Sequence, residues 1–356
     1  MESFEKILSV IVPAYNMEAY LPKCLSSLVI DDKQLLRKLD VIVVNDGSKD
    51  RTSEIAHEFE AKYPDVFRVM DKANGNYGSC INAALPIAKG VFVKVLDADD
   101  TFDNKSFTQM LDVLIDSECN AKHLDLLLTD FVEVDGNNEE ICAHTLQLPA
   151  DKVLSIAEVK RMPLLYMHSI VYRMKNIIDI GYHQTEGISY TDNEWTFYPM
   201  VTIRRFQYTR LPVYRYLVGR VGQTTDPVVL KKSVYALSAI AERMNRELGI
   251  LLTNAEDSIR LYLENVASSM NVRVYNSVIL NEYDKEVDQR LITFDCAFAS
   301  VSHEMHEKIM NQLVFRSLGF KYGVHWRRHQ SNNTFSLRLY RFFRRMVKAA
   351  RLLLHG

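Results

Sequence analysis

Paired cysteines are missing from this chain: Cys24, Cys80, Cys119, Cys142 and Cys296 are scattered, with no C-x-x-C among them. That excludes a zinc site or disulfide frame as the organising device and suits a reducing compartment. No uncharged run approaches the length a bilayer-crossing helix needs. Met1-Glu2-Ser3-Phe4-Glu5-Lys6 has no basic start followed by a long apolar segment, so no leader is expected and the expected location is the cytoplasm. Acidic residues are missing from one end only. After Glu307 there is none, while eleven Lys or Arg follow, so a net charge of -2 hides an acidic body and a basic tail. With 356 residues, 47% hydrophobic and 25% charged, disorder is not the dominant state. The length suits one large α/β domain with a smaller appendage.

What is present is a series of short, β-branched apolar runs, each stopping at a polar loop. Ile7 to Val12 ends at Pro13, Leu39 to Asn45 at Asp46-Gly47-Ser48, and Val91 to Leu96 at Asp97-Ala98-Asp99-Asp100, with Phe67-Arg68-Val69-Met70 as a further short run. These read as buried parallel strands. Between them apolar residues recur at helical spacing: Tyr20-Leu21, Cys24-Leu25 and Leu28, then Ile55, Ala56 and Phe59 after a cap at Ser48 or Asp50, then a helix from Cys80 to Lys89 ended by Gly90. Alternating strands and helices predict a doubly wound α/β layer with a mostly parallel sheet. The carboxyl ends of such strands line the ligand crevice, so the acidic groups there surround one site. We read it as a pocket for a nucleotide and a metal-bound diphosphate.

Each residue type suits that task. Tyr15 offers an aromatic face to a base, on a loop whose backbone Pro13 fixes. Asp46 can accept from a base N–H or a ribose hydroxyl, although Asp-Gly-Ser is also ordinary turn chemistry. Glu18 serves either the nucleotide or the dipole of the helix it starts. Asp97 and Asp99 alternate along an extended chain, so both address one pocket. A hard divalent cation, Mg²⁺ or Mn²⁺, held by carboxylate and phosphate oxygens would neutralise a diphosphate there. Asp100 is expected to cap the next helix, whose apolar face includes Phe107, Met110 and Leu111. His168, His183 and Cys80 show no partner pattern and read as packing or surface residues.

Five motifs stand in one order: VPAYNMEAYLPKCLSSL, VIVVNDGSKDRT, NYGSCINAAL, LDADD and GISYTDNEW. Together they make Ile7 to about Tyr216 resemble a family 2 glycosyltransferase of the GT-A fold, the inverting group that takes a sugar from a nucleotide diphosphate, here of the bacterial cell-surface polysaccharide type. The resemblance implies that Pro13, Ala14, Tyr15, Glu18, Asp46, Asn76, Gly78, Ser79, Asp97 and Ala98 hold the nucleotide-sugar, most simply a UDP-sugar. It implies Asp99 as metal ligand, with Asp97 on ribose or a metal-bound water. It also implies Asp192 as catalytic base, with Thr191 where a glutamate is usual and Glu194 as a rival. Ile81 stands where an arginine is frequent, and Arg220 either supplies that charge to the diphosphate or is a surface residue. A base is needed because the acceptor hydroxyl becomes a competent nucleophile only as its proton leaves.

Leu124 to Val134 and Ile170 to Arg173 read as further strands, with Asp135 to Asn138 as a turn. Beyond Val221 strand signals stop, and Val228 to Leu248, Glu256 to Leu280 and His303 to Leu318 read as helices. The expected organisation is a GT-A domain over 1–220, a helical region over 221–325 and a basic amphipathic tail over 326–356. In the tail Leu339, Phe342, Phe343, Met346, Ala350 and Leu353 form an apolar stripe, flanked by Arg338, Arg341, Arg344, Arg345, Lys348 and Arg351. Such a helix suits the inner face of an anionic membrane or a dock on the protein itself; nothing else supports nucleic acid. The expected partners are a nucleotide-sugar and a glycan, lipid-linked or glycoprotein acceptor, with a homo-oligomer left open. The alternative readings are a nucleotidyltransferase and a non-catalytic sugar-nucleotide binding protein.

Overall fold

The apolar runs that open the chain become its central strands because they are apolar on both faces. In β1 (Leu8–Ala14) and β2 (Leu39–Asn45) every residue but Pro13 is buried. Strands of that kind need a covering layer on each side. The computed structural model describes residues 5–220, 233–253, 255–281, 285–315 and 319–355, with side chains described as far as 346. The expected helix start at Val228, the loop residues Val221 to Thr224, and the tail side chains Lys348, Ala350, Arg351 and Leu353 therefore lie outside the described residues.

The first unit comprises residues 1–221 and 255–262. After β1 and β2 come β3 (Phe67–Asp71), β4 (Phe92–Val95), β5 (Thr101–Phe102), β6 (Leu126–Val134), β7 (Glu140–His144), β8 (Val153–Ser155), β9 (Ile170–Arg173) and β10 (Arg205–Leu217). The sheet runs β3-β2-β1-β4-β9-β6-β10-β5, with β7 added to β6 and β8 to β10. β3, β2, β1 and β4 are parallel, and β10 is parallel to β6, while β9 lies antiparallel between β4 and β6. The mostly parallel α/β sheet expected from the sequence is thus present, with antiparallel strands added beyond β4. The chain leaves β1 toward β2 and β3 and returns on its other side as β4. The loops after β1 and β4 therefore flank a topological switch point, the usual place for a ligand crevice.

One local expectation differs. The helix expected over Cys80 to Lys89 is α4, Asn76–Ala84, which starts earlier and gives way to a 3₁₀ turn, Leu85–Ile87. Pro86 lacks the N–H that another helical turn would use. Strand β10 carries Pro212 inside it, which is tolerated because the pairing with β6 shifts register on both sides of that residue.

The second unit comprises 222–254 and 263–356 and, among the described residues, is helical apart from a single bridge between Phe315 and Phe320. Two of its buried polar clusters are internally bonded: Asn245 and Asn271 exchange side-chain hydrogen bonds of 2.8 Å, and Asp295 accepts from Tyr275 and bonds His306 at 2.7 Å each. The last helix, Phe335–His355, buries Leu337, Tyr340 and Arg341. Arg341 therefore does not decorate the flank as its spacing suggested. It turns inward and donates to the carbonyls of Asn281 (2.8 Å) and Asn332 (2.7 Å), groups a buried chain end must satisfy. Phe335, Leu339, Phe342, Phe343 and Met346 stay exposed. Among the described residues no helix is long and apolar enough to cross a membrane.

Candidate active site

The loops after β1 and β2 are laced together. Asp46 N donates to Ala14 O (2.9 Å), Lys49 N to Asn16 Oδ1 (2.8 Å) and Asn16 N to Ser48 Oγ (2.9 Å). Asn16 and Gly47 adopt positive φ, 53° and 72°, which Asn and Gly accept at least cost. Pro13 and Ala14 close the strand below, and Tyr15 stands 44% exposed at the rim. Glu18 Oε2 accepts from Arg51 N (3.0 Å), and Asp50 accepts from the backbone of Glu18 and Thr52. The carboxylate of Glu18 thus closes the start of α3 (Thr52–Lys62).

Asp46 is buried, and its Oδ1 accepts from Lys72 Nζ (2.8 Å) and Gly75 N (2.9 Å). Lys72 also donates to Ser79 Oγ (2.8 Å), whose hydroxyl donates to Asn76 O (2.7 Å). Sequence reasoning missed Lys72. The available signal was a lysine immediately past the end of β3, the strand end next to that of Asp46.

Helix α4 carries this knot toward the second acidic group. Tyr77 OH donates to Asp97 Oδ1 (3.0 Å). Burial, then the charges of Asp99 and Asp192, push Asp97 up to about 7. The same Asp97 and Asp192 charges, after burial, raise Tyr77. Asp97 is thus within reach of carboxylate charge from two distant chain segments. Asp100 is not the cap of α5 (Asn104–Cys119): Asp103 is, through Ser106 N (2.9 Å). Asp100 is buried instead, accepting from Tyr214 OH (2.6 Å) and Leu217 N (2.7 Å). It ties the acidic loop, with Ala98 buried in it, to β10. Arg220 Nε and Nη2 both lie 2.9 Å from Asp99 Oδ2, with the guanidinium over the Tyr20 ring at 5.3 Å. A pocket of about 360 Å³ opens there, lined by Tyr20, Lys23, Asp99, Arg215 and Arg220 among others. A larger basic pocket, lined by Lys6, Arg37, Arg68 and Lys89, lies at the opposite ends of the strands.

Asp192 opens a four-residue helix, α7 (Asp192–Trp195), and its Oδ1 accepts from Asn193 Nδ2 (3.2 Å). Glu194, its rival, is fully buried and spends both oxygens on Thr185, accepting from its N (2.6 Å) and Oγ1 (2.7 Å). The segment it grips is bound to α4: Asn82 Nδ2 donates to Gln184 O (2.8 Å), Gln184 N donates to Asn82 Oδ1 (2.8 Å), and Gly187 N donates to Gly75 O (2.9 Å). Gly78 makes the close approach possible, since a Cβ there would sit 2.1 Å from Thr185 O. His183 lies 3.1 Å from Asn82 Nδ2 in the same contact.

His168 is not an ordinary packing residue. One ligand atom each from Asp97, Asp100 and His168 lie within 4.8 Å of one another. Burial, then Lys94 and His144, lower the His168 ring to about 3 and keep it neutral. Lys94 is fully buried on β4, donates to the carbonyls of His168 (2.6 Å) and Ile170 (3.2 Å), and is lowered by burial to about 7. The donor set beside it, in which burial and then the charge of Asp99 raise both Asp97 and Asp100, fits a hard divalent cation.

The family described as glycosyl transferase family 2 matches residues 9–121. An uncharacterized glycosyltransferase of Mycoplasma pneumoniae, the MG025 homolog, is 37% identical over 109 residues, which are 30% of this chain and 36% of that one. The chain thus spans only about a third of that relative. The uncharacterized glycosyltransferase YibD of Escherichia coli is 28% identical over 274 residues, 72% of this chain and 74% of its own. Among solved structures, Staphylococcus aureus TarS 1–349 in complex with UDP-GlcNAc superposes with a TM-score of 0.61 at 20% identity, covering 97% of this chain and 92% of that one, a likeness of fold. Strand order, the carboxylates at the strand ends and the matched stretch lead to one conclusion: residues 9–121 match glycosyl transferase family 2, and the chain has the GT-A fold.

Proposed function

We propose that the chain is an inverting glycosyltransferase that moves a sugar from a UDP-sugar to an acceptor hydroxyl in cell-surface polysaccharide synthesis. The observation that carries this reading is that Asp97, at the switch-point crevice, is raised first by burial and then by the charges of Asp99 and Asp192. Tyr15 stacks on the base, and the Asp46 loop, held by Lys72 and Gly75, receives the nucleoside. Asp99 would hold Mg²⁺ or Mn²⁺, which when bound neutralises the diphosphate and stabilises charge growing on the leaving group. Asp97 bonds ribose or a water of that ion. Asp192 takes the proton from the acceptor hydroxyl as the new bond forms on the face opposite the leaving diphosphate, giving a β-linkage from an α-linked donor. Glu194 serves as the clamp that sets the position of Asp192, which favours Asp192 as the base.

The TarS complexes contain UDP-GlcNAc and UDP, which supports a uridine donor here. The exposed apolar stripe of the last helix, with Arg338, Arg344 and Arg345 beside it, supports a peripheral contact with an anionic membrane. Incubating the full chain with Mg²⁺ or Mn²⁺, a panel of nucleotide-sugars and mixed glycan acceptors tests the activity. Release of UDP from one donor is the expected result. Release of pyrophosphate would identify a nucleotidyltransferase, and metal-supported UDP binding with no turnover a binding protein.

A further inference from the structure

From the acidic cluster to the surface of the first unit runs a file of aromatic rings. Tyr214, whose hydroxyl donates to Asp100, lies 4.5 Å from the His168 ring, and His168 stacks on Tyr216 at 4.6 Å. Beyond it, His168 lies 4.9 Å from Phe131, and Phe131 stacks on His144 with centroids 4.3 Å apart and planes within 3°. Tyr166 closes the file, 5.4 Å from Phe131, 5.9 Å from His144 and nearly parallel to His168 at 6.5 Å. It touches three rings, yet 55% of it faces solvent. His144 Nε2 lies 2.9 Å from Glu133 Oε1, which puts a polar pair, each side chain 30% exposed, at the edge of the stack.

The ledge is joined to the acids. Met167, between Tyr166 and His168, sets its sulfur 3.4 Å from Tyr77 OH, the hydroxyl that donates to Asp97. Tyr166 is two chain steps from His168, a separation of at most about 7 Å between α-carbons. A group resting on Tyr166 therefore lies beside the acidic cluster.

We propose that this ledge binds a pyranose ring of the acceptor, stacked on Tyr166 with its hydroxyls bonded by Glu133 and His144. The axial C–H bonds of a sugar carry slight positive charge and match the negative face of an aromatic ring. A ring already wedged by its neighbours gives up little freedom on binding. A lipid chain would instead meet a ledge broken by a carboxylate and an imidazole, groups it leaves unpaired. The inference rests on the glycosyltransferase reading and adds to it the class of the acceptor: a sugar, presented through one face of its ring.

The test uses the full chain with UDP and Mg²⁺, and methyl glycosides of glucose, galactose and N-acetylglucosamine as probes, followed by saturation-transfer NMR, with UDP affinity measured alongside. At least one glycoside is expected to bind the wild type and Tyr166→Phe alike, and to bind Tyr166→Ala about tenfold more weakly, with UDP affinity unchanged. UDP binding without binding of any glycoside, or equal glycoside binding by Tyr166→Ala, would overturn the ledge and leave the transferase reading standing. Failure of the wild type to bind UDP would overturn both.

Discussion

Replacing Gly78 by alanine separates a glycine that packs from a glycine that binds. The added Cβ would lie 2.1 Å from Thr185 O and 3.0 Å from Thr185 C, and both are backbone atoms with no flexible end to yield. Ordinary contact requires the two segments to part by about 1 Å, an overpacking that costs about 1–3 kcal/mol of stability. The displaced segment is the one whose Thr185 is gripped by Glu194, two residues from Asp192. A shift of about 1 Å at a catalytic group lowers turnover about 100-fold, or about 2.7 kcal/mol of barrier. Asp46, Lys72 and Tyr15 lie outside the displaced segment and keep their own bonds to one another's loops, so UDP affinity should stay within about twofold. The assay is UDP release at saturating donor and acceptor, paired with calorimetric titration of UDP. Wild-type turnover in Gly78→Ala, or lost UDP affinity with turnover preserved, would refute the reasoning.

Three further outcomes follow from the same contacts. Lys94 has a folded pKa of about 7, well below its value of about 10.5 in an unfolded chain. Its destabilising effect therefore grows as pH falls from about 10.5 to about 7 and is constant below. Urea unfolding should show wild type gaining about 2 kcal/mol on Lys94→Met between about pH 7.5 and about pH 9, whereas parallel curves would contradict the assignment. Arg220→Ala removes the cation bonded to Asp99, so Mg²⁺ without nucleotide should bind about tenfold more tightly by calorimetry; weaker binding would show that Arg220 supports the site rather than competing for it. Replacing both Phe342 and Phe343 by serine should abolish sedimentation with anionic vesicles while leaving UDP release in solution intact, and unchanged sedimentation would reject the membrane contact.

The sequence disclosed the parts of the fold that rest on local pattern. β1, β2 and β4 are mainly apolar runs, interrupted inside by Ser9, Asp40 and Lys94 alone, and a run buried on both faces predicts a parallel strand whatever follows it. β10 escaped notice because Pro212 lies inside it, and its tolerance depends on a register shift that only the pairing with β6 reveals. The acids were legible as a set because they end strands, but their individual duties were not. Asp100 looks like a helix cap until Tyr214, 114 residues away in sequence, takes its carboxylate. Glu194 and Asp192 look equivalent until Thr185 claims both oxygens of Glu194. His168 carries no motif, and its place beside Asp97 and Asp100 comes from the antiparallel β9 lying between β4 and β6.

The central claim is that Asp192 faces the reactive carbon of a donor gripped by the Asp46 and Asp97–Asp99 loops. Asp192→Asn tests it most directly, because the substitution keeps shape and removes the base. The variant should bind the UDP-sugar with Mg²⁺ as tightly as wild type, while UDP release to acceptor falls about 100- to 10,000-fold. Turnover within a few-fold of wild type would contradict the account.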